Sequence, residues 1–240
     1  PFATRLAAEL APLFLARRVV AVNGTEADLL REAGFDNVSV LGHVQVPRAT
    51  GPGWDARRDI LFLGAVHDRQ APNLDSLAWF SAEVLPLLVA ELGPDIRFGV
   101  CGHVNPRVDL GPLRQHPNVC MLGQVADTAP IYDRYRVFVA PTRFAAGIAY
   151  KLHEAAANGL PVVGSPLLCQ QAGWQDGHDM LCADITDPAA FAAQVIRLYR
   201  DQMLWNTVRD NALHRIATEH DPEAYQERIG DIMHSLFMPD

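Results

Sequence analysis

The sequence predicts a doubly wound α/β fold: a parallel sheet with helices on both faces. Three observations support this. Short apolar runs recur along the chain, among them "DILFLG" (59–64), "VFVAP" (137–141) and "LPVVGS" (160–165). Each run is continuous in apolar residues rather than alternating, as expected of a strand buried on both faces. Segments of helical length separate the runs, which is the pattern of a parallel sheet.

The elements follow in order. An apolar helical pattern spans about 2–15, and "VVAV" (19–22) reads as a strand. Thr25, with Asp28 three residues on, is the expected N-cap of the helix "EADLLREAG", which stops at Gly34. A strand at 38–42 closes this first piece, so residues 1–45 form one α/β unit. Residues 43–58 are rich in proline, glycine and charge, which places a linker at 46–58. The second unit, 59–220, adds strands at 96–102, 118–123 and 179–183 to the three already named. A long helix is expected over 73–91 and another over 188–200. Two more helices end the chain. The last, 222–236, opens with Asp221-Pro222, a cap and a first-turn proline. Its stripe of Tyr225, Ile229, Ile232, Met233 and Leu236 is expected to pack back on residues 1–45.

Composition narrows the function. The 240 residues are 49% hydrophobic and 20% charged, with no low-complexity tract. A net charge of −8 argues against broad nucleic-acid binding, because phosphate backbones demand basic surface. No apolar run reaches the length of a membrane span. Cys101, Cys120, Cys169 and Cys182 lack CxxC spacing, so they read as reduced thiols rather than metal ligands or disulfides. That points to a cytosolic setting. Zinc spacing, P-loop and Ser-His-Asp order are all missing, and no metal is expected. The chain opens on proline as if in mid-domain, and reads as a fragment.

Doubly wound sheets bind ligands outside the carboxyl ends of their strands. Here those ends read "LGAVHDR", "CGHVNPR", "LGQVAD", "APTRFAAG" and "GSPLLCQQ". Glycines such as Gly64 let a ligand approach the backbone. His67 and Arg69 follow Gly64, and His103 follows Gly102; each can meet a sugar or phosphate, and each also suits an exposed loop. His178 and Asp179 read as turn residues. The richest segment is "RFAAGIAYKLHEAAANGLPVV" (143–163). Gly147, Lys151 and Glu154 are spaced i, i+4, i+7, which places them on one helical face. Gly147 at the helix start exposes backbone N–H groups to an anion. Arg143 offers a planar bidentate donor for phosphate oxygens, and Lys151 adds a point charge. Glu154 has the acceptors to hold a ribose diol. The same Lys151–Glu154 spacing also suits a solvated ion pair worth a few tenths of a kcal/mol.

This segment resembles the donor-binding, C-terminal half of retaining glycosyltransferases of the GT-B fold, group 1 or family 4-like. Their signature is E-x7-E followed by A-x-A-x-G-x-P-V-V; Glu154 matches the second glutamate and "AAANGLPVV" the rest. A subgroup pattern, R-[FY]-G-A-G-x-K-x-K-x-x-E, is met at Arg143, Phe144, Ala146, Gly147, Lys151 and Glu154. The first strand and helix, "DILFLGAVHDRQAPNLDSLAWF", are similar to that subgroup too. Three places depart from it. The first glutamate of E-x7-E falls on Ala146 and the subgroup's first lysine on Ala149. Ala65 and Asn73 stand where an arginine and a lysine often reach the donor phosphates.

The resemblance implies a Rossmann-like donor domain at 59–220, the tail of an acceptor domain at 1–45, and a final helix, 221–240, crossing back. It implies diphosphate contacts at Gly64, Arg143, Gly147 and Lys151, ribose contact at Glu154, and base contact through the backbone of Gln124 and Val125. The reaction implied is transfer from a UDP- or GDP-linked sugar to a hydroxyl acceptor of the glycan or lipid-linked class, with no cofactor. The catalytic residues stay unassigned. A cytoplasmic enzyme is implied, or one lying at the inner membrane face when full length, with this piece alone inactive. Two alternatives stay open: a catalytically silent sugar-nucleotide-binding or scaffold domain, which Ala146 favours, and an epimerase of the same fold.

Overall fold

The structure is a computed structural model that describes residues 10–48, 50–145 and 147–237. The described residues fall into two compact units. The larger is Gln45–Glu219; the smaller joins the residues up to 44 with those from 220 onward.

The larger unit is built on six parallel strands: β3 (Arg58–Leu63), β4 (Phe98–Cys101), β5 (Val119–Gly123), β6 (Tyr135–Ala140), β7 (Val162–Gly164) and β8 (Leu181–Cys182). Their spatial order is β5-β4-β3-β6-β7-β8. Alternate residues of each strand feed opposite faces. Ile60 and Phe62 enter one core with Leu77, Phe80 and Phe191, while Leu61 enters the other with Phe138, Leu152 and Ile216. Both faces are covered, which is why "DILFLG" is apolar throughout. Each such buried side chain contributes roughly 1.5–3 kcal/mol. Glycines permit the tight approach of strands and helices. A Cβ on Gly99 would stand 2.2 Å from the Tyr135 hydroxyl, so no other residue fits there.

Several local expectations need correction. The helix expected over 73–91 is interrupted: Pro72–Trp79 leads into a π-helical turn at Phe80–Val84, and α-helix resumes at Leu85–Leu92. Pro86 explains this, because its ring displaces the carbonyl four residues back and its nitrogen donates no hydrogen bond. The segment 46–58 is no loose linker. Trp54–Ala56 forms a 3₁₀ turn, and Arg57 is fully buried. Its guanidinium donates to the carbonyls of Pro52 (2.8 Å), Asn158 (3.0 Å) and Tyr135 (3.4 Å), and also to that of Tyr132. Burial draws its pKa down to about 10, against the pull of Asp133.

The smaller unit pairs β1 (Val19–Ala21) with β2 (Val38–Val40) in parallel, beside the helix Gly24–Glu32. Asn23, not Thr25, caps that helix, accepting from the Glu26 amide at 2.8 Å. Asp28 pairs instead with Arg31 at 2.8 Å. Of the helix expected at 2–15, the described part is a 3₁₀ turn at Ala11–Leu15. The final helix, Pro222–Phe237, lies in this unit, and its Arg228 Nε donates to the Val40 carbonyl at 3.3 Å. Its stripe is only half covered: Tyr225, Ile232 and Leu236 are partly buried, while Ile229 and Met233 are exposed. No helix among the described residues is long and apolar enough to cross a membrane.

Arg57 yields a stability prediction. Arg57→Leu strands several buried carbonyls at about 1–3 kcal/mol each, so the loss should reach at least about 3 kcal/mol. Arg57→Lys should recover only part, since one ammonium cannot span carbonyls that the planar fork reaches together. Urea midpoints measured at unchanged m-value check both.

Candidate functional site

The order of the large sheet creates the site. From β3 the chain winds outward through β4 and β5, then returns to β6 on the other side of β3. Connections leaving β3 and β6 therefore diverge, opening a crevice at their carboxyl ends. A cleft of about 330 Å³ lies there, lined by residues that include Gly64, Asn73, Thr142, Lys151, Glu154 and Gln171.

Lys151 and Glu154 belong to the helix Tyr150–Ala157. They share a face but make no ion pair, so the solvated-pair reading is not what forms. The Lys151 ammonium reaches Asn73 Oδ1 and lies 4.9 Å from the centre of the Phe62 ring. Asn73 is itself oriented by donating to the Ala65 carbonyl at 2.7 Å. Burial lowers the Lys151 pKa from 10.5 to about 8, with no carboxylate to oppose it. Glu154 Oε1 instead accepts from Thr128 Oγ1 at 3.0 Å. A third polar group, the buried Thr142 hydroxyl, has no hydrogen-bond partner among the described residues. The cleft thus holds a desolvated cation, a carboxylate and an unengaged donor.

Gly64 lines the cleft and has a structural use there. A Cβ there would sit 2.6 Å from Asn73 Nδ2, so the glycine makes room for the amide that holds Lys151. Gly102 allows a second close approach: its φ is +136°, and a Cβ would lie 2.3 Å from the Gly64 carbonyl oxygen.

Gly147 is not on the helical face. The helix begins at Tyr150, and Gly147 precedes it in a turn with φ +84°, so the i, i+4, i+7 spacing does not apply. Its α-hydrogens face open space. That backbone angle, rather than steric room, is the local reason for glycine. Ala146, the departure from the family pattern, lies outside the described residues. Arg143 is exposed and already paired: Nε donates to Asp75 Oδ2 at 2.7 Å and Nη2 reaches Oδ1. The hydrogen bonds to Asp75 raise its pKa above the ordinary value. Arg143 does not line the cleft.

The remaining candidates sit elsewhere. His103 and Gln124 line a second hollow of about 510 Å³ beyond β4 and β5, with Gly102 and Arg114. Val125 packs against the core next to it. His67 and Arg69 are exposed in the loop after β3, and the rings of His67 and His103 stand 6.1 Å apart. Sequence reading missed Thr128, Thr142 and Gln171. Gln171 donates to the Ala145 carbonyl at 3.0 Å, tying the helix Pro166–Ala172 to the loop after β6. Thr142 had a signal, since it follows strand "VFVAP" directly. Thr128 had none, being 26 residues from its partner.

Comparison with known proteins bears on this geometry. Residues 57–201 match the family model for glycosyl transferases group 1. No curated protein matches the chain. A TarM variant from S. aureus, solved with fondaparinux, alpha-GlcNAc-glycerol and UDP, gives a TM-score of 0.73 at 14% identity, over 90% of this chain and 43% of that one. HepE of Anabaena, solved with UDP and glucose, gives 0.71 at 15%, over 96% and 66%. Sucrose-phosphate synthase from Thermosynechococcus elongatus gives 0.73 at 20%, over 98% and 62%. This chain therefore spans 43% to 66% of these proteins' lengths. Identities this low show the fold, which is GT-B. The family match runs from before β3 to beyond β8, taking in every strand of the large sheet, and the chain belongs to the glycosyl transferases group 1 family.

Proposed function

We propose that this chain is the donor-binding half of a glycosyltransferase that moves a sugar from a nucleoside-diphosphate sugar to a hydroxyl acceptor, with retention at the anomeric carbon. The observation that carries the proposal is Lys151. A cation desolvated enough to lower its pKa to about 8, without an acidic partner, at the switch point of a doubly wound sheet, is suited to an incoming anion. Two of the structurally similar proteins were solved with UDP, which makes UDP the first nucleotide to test, followed by GDP.

In this reading Lys151 and the Thr142 hydroxyl meet the diphosphate, and Glu154 accepts from the ribose diol. The hollow of His103 and Gln124, with the adjoining Val125, takes the base. Arg143 contributes only by exchanging Asp75 for a phosphate oxygen, and the turn at Gly147 supplies backbone to the same anion. During transfer the sugar–phosphate C–O bond breaks, leaving its electron pair on the phosphate oxygen. The acceptor oxygen then bonds to that carbon and passes its proton to the departing phosphate oxygen. Charge grows on the leaving diphosphate, where a cation held in low dielectric is most effective. Protein cations meet that charge in this scheme, so no metal is assigned. The four free thiols accord with a cytosolic setting.

Ala146 favours a second reading, a module that binds the donor without transferring it. Assaying the full-length protein, acceptor domain included, with UDP- and GDP-sugars for binding, hydrolysis and transfer separates the two. Binding without turnover supports the silent module, turnover supports the transferase, and failure to bind any nucleotide overturns both.

Two predictions concern the cleft. Lys151→Ala should weaken nucleoside diphosphate and pyrophosphate alike, by about ten- to a hundredfold. Glu154→Gln should weaken the nucleotide but leave pyrophosphate unchanged. Isothermal calorimetry on both variants with both ligands checks this.

The Lys151 pKa sets opposite pH trends for affinity and stability. Affinity should hold below pH 8 and fall by up to about tenfold per unit above it, as the free ammonium loses its proton. Lys151→Arg, always charged, should flatten that slope. Stability of the unliganded chain should move the other way. The folded-state pKa lies below the unfolded value of 10.5, so the unfolded chain binds more protons between about pH 8 and 10.5, and stability rises there. Lys151→Met should remove this contribution. Titrations and urea midpoints across that range read both trends.

A further inference from the structure

Glu154 is held from behind. Resting on the donor-cleft reading above, we propose that Thr128 and Tyr132 are positioning residues that present the Glu154 carboxylate to the hydroxyls of a ribose. Both come from a segment separate from the cleft's own helix. Thr128 immediately precedes the helix Ala129–Arg134, and Tyr132 is one turn inside it. Four-residue spacing puts them on one face, and that face meets Glu154.

Two features are out of place unless Glu154 uses them. A threonine ahead of a helix ordinarily turns its hydroxyl onto its own backbone amides. Thr128 makes no such cap; its hydroxyl donates to Glu154 Oε1 at 3.0 Å. Asp127 Oδ1 accepts from the Ala129 amide at 2.9 Å instead, so the helix start is served and Thr128 is released. The second feature is the Tyr132 hydroxyl, which is buried and makes no well-formed hydrogen bond. A buried donor left in this state needs an explanation. Burial first, and then the Glu154 charge, push its pKa above the ordinary range, so it remains a donor at physiological pH.

A glutamate on a helix has three rotatable bonds, and a carboxylate free to swing loses much of its diol affinity to ordering. With Thr128 holding one oxygen and the Tyr132 donor adjacent, the carboxylate keeps its remaining lone pairs toward the cleft. The two hydroxyls need not touch the nucleotide to govern its binding.

The test uses whichever of UDP and GDP binds the parent chain more tightly, its 2′,3′-dideoxy form, and pyrophosphate. Thr128→Val should weaken the ribonucleotide about three- to tenfold, the worth of one ordinary hydrogen bond, because Thr128 acts on the nucleotide only through Glu154. Thr128→Ser should restore it, and Tyr132→Phe should lower it several-fold. Dideoxynucleotide and pyrophosphate affinities should stay at the parent level in all three variants, which also shows the cleft intact. If Thr128→Val and Tyr132→Phe bind the ribonucleotide like the parent, or weaken all three ligands equally, the inference is wrong. Should Glu154→Gln abolish the preference for the ribonucleotide while both hydroxyl variants keep it, only the positioning role falls. If neither nucleotide binds, or the parent shows no preference over the dideoxy form, the donor-cleft reading falls and the inference with it.

Discussion

Six parallel strands that end at one edge, with an order that reverses between β3 and β6, are the constraint on which the rest of this structure depends. Parallel pairing sends every carboxyl end the same way, and the reversal parts the connections at a single point. Much of the cleft's polar lining is reached from there: Asn73 on the helix after β3, Thr142 just after β6, and Lys151 and Glu154 on the helix that follows, with Gln171 coming after β7. The apolar cores on the two faces keep that edge rigid.

Within the cleft, charge is handled by separation. Lys151 and Glu154 are one helical turn apart, yet each has a partner from elsewhere in the chain, Asn73 and Thr128. A direct pair would have neutralised both groups and left the cleft inert toward an anion and a diol alike. Holding the lysine with a neutral amide leaves its charge uncompensated at a cost in desolvation, and that same cost makes an arriving anion favourable. Gly64 belongs to this arrangement, since any side chain there would expel Asn73. Arg143 shows the contrary case, an exposed cation already satisfied by Asp75. Of the two cations, the buried one is therefore the stronger candidate for selective anion binding.

Much of the architecture was legible in the residues themselves. The strands at 59–64, 118–123 and 137–141 were found within two residues of their observed bounds, because continuous apolar runs have few other places to go. The helix expected over 188–200 coincides with the observed Pro188–Arg200; its cap, Asp187, is seen only in the structure. Errors fell where local signals compete. Asn23 and Thr25 are both good caps, and only the observed backbone decides between them. The helix over 73–91 is expected to run unbroken, yet Pro86 brings a π turn into it at Phe80–Val84. The segment 46–58 looks like a linker by composition, yet it closes over a buried Arg57 that no periodicity announces.

By itself the sequence determined the class of fold, the edge at which the cleft opens, and the residues Lys151 and Glu154 as the chemistry most in need of explanation. Period and apolar content suffice for that, because burial on two faces leaves a pattern within each short segment. Only the tertiary structure decided what those residues touch. The hydrogen bonds that set their state join positions 78 and 26 apart, a separation at which no spacing rule operates. It also decided that Gly147 lies before the helix rather than on it, and that Arg143 is spent on Asp75. Those outcomes depend on how loops from different strands meet at the crevice, and chain proximity carries no information about that meeting.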